Sequence, residues 1–318
     1  MKEIGIMEVG GFKVGHAQNL EAGTGLTVIL LDHMSPAGLD VRGGGPASRE
    51  SQILNPLMTA EGINAVVLSG GSAFGLDAAG GVQKYLEERG EGFAVGPIRV
   101  PLVCQSCVFD LGCGRYDVRP DAAMAYQACE NASYDAPKEG NVGAGTGCTV
   151  GKIMGIERAM KTGFGTYAVQ AGNIKVGAMV AVNAAGDVYG ADGKVMAGLL
   201  SEDRKSLSSS FEAMIQGLEV QAGVNTTIGC VVTNVKLPKA KLCKVAGMTH
   251  NGYARAIRPV HTSGDGDSIY ALSTGEVEGS MDAVGTLAAY AMEQAIRRAA
   301  ETAESAYGYL ARRDILQV

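Results

Sequence analysis

The chain of 318 residues has no tryptophan, and its aromatic content is only 5%. Its core must therefore be filled by small aliphatic side chains at close backbone spacing, which 46 glycines allow. Charged residues are scarce at 19%, the net charge is −6, and lysine and arginine gather into no stripe. A nucleic-acid partner needs a basic footprint, so none is expected. No run of about 18 apolar residues occurs, so no membrane-spanning helix is expected either. The opening MKEIGIMEVGGFKVG lacks the uninterrupted apolar centre of a secretory signal. The expectation is a cytoplasmic protein. There is no G-X-Y period and no low-complexity tract, which removes collagen-like and linker readings.

Seven cysteines, an odd number, argue against a full disulfide framework. Cys104 and Cys107 have the spacing that can begin a zinc site, with Cys113 nearby. No second Cys/His pair follows at the spacing a tetrahedral site needs, so neither metal nor cofactor is expected. What the chain does have is a hydrophobic content of 46%, enough for a large core.

The clearest unit is residues 63–90, INAVVLSGGSAFGLDAAGGVQKYLEERG. Val66, Val67 and Leu68 predict a strand, Gly70-Gly71 a turn, Ser72 an N-cap, and the apolar residues from Phe74 to Leu86 a helix stopped by Gly90. Ahead of it, residues 25–33 (GLTVILLDH) alternate little and predict a strand buried on both faces. The loop DVRGGGP (40–46) reads as a tight bend, with anion binding by its N–H groups as the alternative. Residues 100–112 (VPLVCQSCVFDLG) predict a third strand and 120–130 a helix. Residues 163–170 and 173–190 predict two long strands, 237–257 a helix with Leu242, Val245, Ala246 and Tyr253 inward, and 280–306 a long helix capped by Ser280. The polar residues 201–210 predict a mobile loop.

Three stretches could carry chemistry. GNVGAGTGCTVGK (140–152) packs five glycines before Lys152, yet Thr146 and Ile153 occupy positions where a phosphate-binding loop needs glycine and a hydroxyl. HTSGDGDS (261–268) sets Asp265 and Asp267 two residues apart, so an extended backbone would put both carboxylates on one face. A calcium loop would need more oxygens than this provides. GVNTTIGCVVTN (223–234) is β-branched from Thr226 on and predicts a turn leading into a core strand. A sharper alternative makes Thr226 a nucleophile. If the peptide bond between Asn225 and Thr226 were cut, Thr226 would gain an α-amine of pKa about 7.7–8.0 beside its own hydroxyl, able to act as its base.

The segment NTTIGCVVTN, together with GGSAFGLDAAGGV at residues 70–82, resembles the self-cleaving hydrolases that include the L-aminopeptidase/D-esterases, the β-aminopeptidases and the nylon-oligomer (6-aminohexanoate oligomer) hydrolases. Threonine after asparagine is most similar to the nylon-oligomer branch. The resemblance covers nearly the whole chain and implies a four-layer αββα sandwich, a fold that the mixed order of strands and helices also favours. It implies one hydrolase domain over residues 1–318, cut into 1–225 and 226–318, with Thr226 as N-terminal nucleophile. Lys152 matches a lysine beside the nucleophile, and Asn183 an oxyanion-hole amide. Asp265 and Asp267 match an acidic pair that would grip the Thr226 amine and hydroxyl. The implied substrates are small peptides, β-amino acyl amides or 6-aminohexanoate oligomers, and the implied assembly is a homo-oligomer, a tetramer of cut units. The alternatives are an acyltransferase of the same fold and a ligand-binding relative that never cleaves.

Overall fold

Two β-sheets lie face to face in this computed structural model, which describes residues 1–216 and 225–315 apart from the Glu276 side chain. Gly223 and Val224, which open the stretch ahead of the expected cut, lie outside the described residues.

The larger sheet has six strands in the order Lys2–Ile4, Phe164–Ala171, Ile174–Asn183, Thr226–Val235, Ser268–Val277 and Ala37–Val41. Every neighbouring pair is antiparallel except Thr226–Val235 with Ser268–Val277. The smaller sheet runs Phe12–Asn19, Thr24–Ser35, Ile63–Ser69, Val103–Cys107 and Ala47–Arg49. Helices Lys239–Ala256 and Met281–Thr302 cover the outer face of the six-stranded sheet, and Ala79–Glu87 and Ala122–Glu130 cover the other. This is the expected αββα sandwich.

Side-chain alternation decides the layers. Val176, Ala178, Val180 and Val182 face the helices and pack with Leu242, Val245 and Ala288, while Met179 and Ala181 face the second sheet and pack with Ile29, Val66 and Leu68. Both faces are buried, so these strands read as continuous apolar runs rather than alternating ones. With few aromatics available, the layers close on small residues. A Cβ at Gly165 would lie 2.2 Å from the Ala295 carbonyl, and one at Gly252 would lie 2.4 Å from that of Ala289. Overpacking of that kind typically costs 1–3 kcal/mol.

Four expectations change in detail. Ser72 does not cap a helix by its side chain. It stands at φ +53°, and a 3-10 turn over Ser72–Ala78 precedes the α-helix at Ala79. The 100–112 strand shortens to Val103–Cys107, because the residues before it form a hairpin of Phe93–Val95 with Ile98–Val100. The 173–190 strand splits at Ala184-Ala185-Gly186, and Asp187–Tyr189 joins a separate small sheet. The polar 201–210 segment ends anchored: the Ser210 N–H and hydroxyl both donate to the buried carboxylate of Asp187, at 2.7 and 2.5 Å. The capping of Met281–Thr302 by Ser280 and the inward set of the 237–257 helix are as expected.

Candidate active site

Thr226 opens a central strand, so it has a neighbour on each side. On one side it pairs with Asn183, the last residue of Ile174–Asn183. On the other, Asn225 bridges to Asp265 in parallel register and Ile228 pairs with Ser268, which carries the 265–267 loop alongside Thr226. Alternation from Ile228 turns the Thr226 side chain toward the gap between the sheets. Thr226 is 4% exposed, and its hydroxyl lies against the carbonyl oxygen of Asn225. That oxygen also accepts the Gly266 N–H at 3.0 Å. Glycine is required at 266, since a Cβ there would stand 2.7 Å from Thr226 Oγ1.

The Asn183 side chain is fixed at both ends. Its Oδ1 accepts the Thr149 N–H at 3.0 Å, and its Nδ2 donates to the Phe109 carbonyl of the facing sheet's 108–110 loop at 2.8 Å. Lys152 Nζ donates to the Asn183 carbonyl oxygen at 2.8 Å. Burial pulls the Lys152 ammonium down to about 8, against the opposing pull of Cys148 and Asp265. Lys152 thus keeps a cation at neutral pH close to the end of the Asn183 strand.

The two aspartates hold main chain. Asp267 Oδ1 accepts the Thr227 N–H at 2.7 Å, so it reaches the Thr226 strand one residue past Thr226 rather than through the Thr226 hydroxyl. Its other oxygen accepts from His261, through Nδ1 at 2.8 Å and the backbone N–H at 3.2 Å. Asp265 accepts the Thr262 N–H and hydroxyl at 2.9 and 2.6 Å, and the Ala185 N–H at 3.4 Å. Burial raises the Asp265 carboxyl, and the charge of Asp267 raises it further. The triple glycine spends its N–H groups on this loop: Gly43 donates to Asp267, Gly44 to Thr262 and Gly45 to Asp265. It is a bend packed against the site, and a Cβ at Gly43 would lie 2.2 Å from the Asp265 carbonyl.

Sequence reasoning missed several supporting residues. Lys161 is fully buried and donates to the carbonyls of Gly145, Cys148 and Thr162 at 3.1, 3.0 and 2.5 Å, which pins the glycine-rich segment ahead of Lys152. Asp110 follows the carbonyl that orients Asn183 and accepts the Thr24 hydroxyl at 2.6 Å and the Gly71 N–H at 2.7 Å. Its carboxyl is pushed up to about 6 by burial, which those hydrogen bonds only partly offset. An isolated lysine or aspartate in an apolar run was the available signal, since such charges are rarely buried without partners. Among the described residues no group of three or more His, Cys, Asp or Glu is placed to hold a metal ion. No helix among them is long and apolar enough to cross a membrane.

The geometry can be set beside known proteins. Residues 5–313 match the model of peptidase family S58. An uncharacterized aminopeptidase of Mycobacterium tuberculosis (strain ATCC 25618 / H37Rv) is 38% identical over 291 residues, covering 86% of this chain and 82% of the relative. A 6-aminohexanoate-oligomer endohydrolase of Kocuria sp. (strain KY2) is 31% identical over 274 residues, covering 84% and 74%. The L-aminopeptidase D-Ala-esterase/amidase of Ochrobactrum anthropi, a variant of the Ntn hydrolase fold, superposes with a TM-score of 0.73 at 18% identity, over 98% of this chain and 93% of its own. Fold, family model and relatives agree: this chain is an amide-bond hydrolase and belongs to peptidase family S58.

Proposed function

We propose that the chain cuts itself between Asn225 and Thr226 and then hydrolyses small amides with Thr226 as N-terminal nucleophile. The observation that carries this is the contact of the Thr226 hydroxyl with the Asn225 carbonyl, whose oxygen accepts the Gly266 N–H. In the cut, Thr226 Oγ1 bonds to the Asn225 carbonyl carbon. The C–N bond breaks, the proton passes to the departing amine, and an ester links the two residues. Water then opens the ester, leaving a carboxylate on Asn225 and a free amine on Thr226. The Gly266 N–H is placed to stabilise the charge that develops on the carbonyl oxygen.

In turnover the Thr226 amine takes the hydroxyl proton, Oγ1 attacks the substrate carbonyl, the amine product leaves, and water releases the acyl group. The second N–H of the Asn183 amide serves as an oxyanion donor, on the same face of the sheet as the nucleophile. The Lys152 cation disfavours protonation of the amine. Asp267 and Asp265 fix the peptide and loop on either side. Substrates are small peptides with a free amine, β-amino acyl amides or 6-aminohexanoate oligomers; the names of the two relatives, an aminopeptidase and a 6-aminohexanoate-oligomer endohydrolase, support the first and the last. The cut units assemble as a homo-oligomer, which light scattering would measure.

Intact-mass measurement tests the reading. Active wild type should give species of residues 1–225 and 226–318, and Thr226→Ala should give one full-length, inactive species. An active protein that remains full length refutes it. Adding an amine acceptor and finding aminolysis in place of hydrolysis would make the enzyme an acyltransferase instead.

A further inference from the structure

We propose that His261 is a positioning residue of this hydrolase, holding Asp267 so that the carboxylate can fix the peptide immediately after the nucleophile. The inference rests on the reading of Thr226 as nucleophile and extends it by one residue.

The connection is continuous. The Thr227 N–H donates to Oδ1 of Asp267 at 2.7 Å, while Oδ2 takes both His261 donors. Each carboxylate oxygen therefore has a separate task, and the Asp267 side chain is fully buried. With a carboxylate facing Nδ1, that nitrogen carries the ring proton. Deleting the ring donor would leave Oδ2 with only the longer bond from the His261 backbone N–H, so Asp267 would hold the N-terminal end of the Thr226 strand less firmly.

Two further observations single out His261. Its backbone stands at φ +59°, a left-handed conformation uncommon for residues other than glycine and asparagine, and such conformations persist where surroundings over-determine them. Its ring is also clamped. The His250 ring meets it edge-on with centroids 4.7 Å apart, and the Tyr253 ring stacks on it at 5.8 Å with 25° between planes. His250 is braced in turn by the Asp40 carbonyl at 3.1 Å, and burial pulls its ring down to about 4, which keeps it uncharged at neutral pH. The charged groups around the His261 ring are thus Asp267 in contact, Asp265 across the loop, and Asp40 with Arg42 behind His250. A surface turn histidine needs none of this support.

The test uses the full chain with His261→Ala, His261→Gly and His261→Asn, alongside Thr226→Ala. Asparagine keeps an N–H donor close to the place of Nδ1 and tolerates the left-handed backbone, while glycine removes the donor and relieves the backbone if the alanine variant does not fold. Turnover of an aminoacyl p-nitroanilide is measured per cut chain, with thermal midpoints in parallel. The alanine and glycine variants should lose about tenfold to a hundredfold in kcat with KM within about twofold of wild type, the signature of a misplaced reacting group. Asparagine should restore kcat to within about fivefold. Wild-type kcat in the glycine variant, or no recovery in the asparagine variant, overturns the inference. If Thr226→Ala still hydrolyses the anilide, the nucleophile reading falls on its own. If it is inactive while every His261 variant matches wild type, only the role of His261 falls.

Discussion

Asn183 and Thr226 are direct cross-strand partners at the point where two antiparallel strands reach the 265–267 loop. Directly opposed residues present their side chains on one face, with Cβ atoms about 5 Å apart. The 42 residues between them in sequence therefore cost nothing in position: an amide and a hydroxyl are set side by side by sheet register alone. Lys152 joins them through the Asn183 carbonyl.

Replacing Asn183 by Asp keeps an acceptor for the Thr149 N–H but removes the amide donor together with its bond to the Phe109 carbonyl, so thermal midpoints are measured alongside activity. Turnover of a small amide should fall by about 10²–10³-fold. Circular dichroism should show the fold retained. A variant with wild-type kcat would remove Asn183 from the oxyanion site.

Gly266→Ala retains the N–H that donates to Asn225 but puts a methyl 2.7 Å from Thr226 Oγ1 and 2.8 Å from the Gly45 carbonyl. Self-cutting should slow by at least about tenfold, because small misplacements of a reacting atom are costly. Time-resolved mass spectrometry of freshly synthesised precursor measures this. Cutting at the wild-type rate would mean that the hydroxyl attacks from another position.

Lys152 has its ammonium lowered from 10.5 to about 8, so its charge is present below that pH and lost above it. The uncut precursor has no Thr226 amine, and its cutting rate reports Lys152 without that interference. The rate should fall as pH rises through about 8. Lys152→Arg should move that limb to higher pH, and Lys152→Met should cut slowly throughout. A rate that climbs through the same window would instead make neutral lysine the proton acceptor.

Asp110 has its carboxyl raised from 3.8 to about 6, so the fold favours the protonated form. Its contribution is complete below about pH 4 and is lost as pH rises through 6, amounting to on the order of 3 kcal/mol for a shift of this size. Asp110→Asn can keep both hydrogen bonds by reversing the Thr24 hydroxyl. Urea midpoints between pH 4 and 7 should therefore fall for wild type relative to the variant. Parallel curves would show that Asp110 stays ionised across the range.

Local pattern settled much of this protein. The apolar runs and glycine punctuation gave the strand at residues 63–69 and the helices over 239–256 and 281–302, because each depends on neighbours a few residues away. The family resemblance pointed to Thr226, Lys152, Asn183, Asp265 and Asp267. Register and burial decided the rest. Thr226 has its hydroxyl against Asn225 because Gly266 leaves room in the loop before the adjacent strand, and Asp267 meets Thr227 rather than Thr226 because parallel pairing aligns them. Ser72 looked like a cap until packing placed Gly71 and Ser72 in left-handed backbone beside Asp110. Lys161 and Asp110 show in the sequence only as isolated charges, and neither they nor His261 reveal their partners there, since a hydrogen bond leaves no period in the sequence. The resemblance carried by the chain's own order pointed to Thr226. Only the meeting of strands far apart along the chain set Asn183 and the 265–267 loop around that residue.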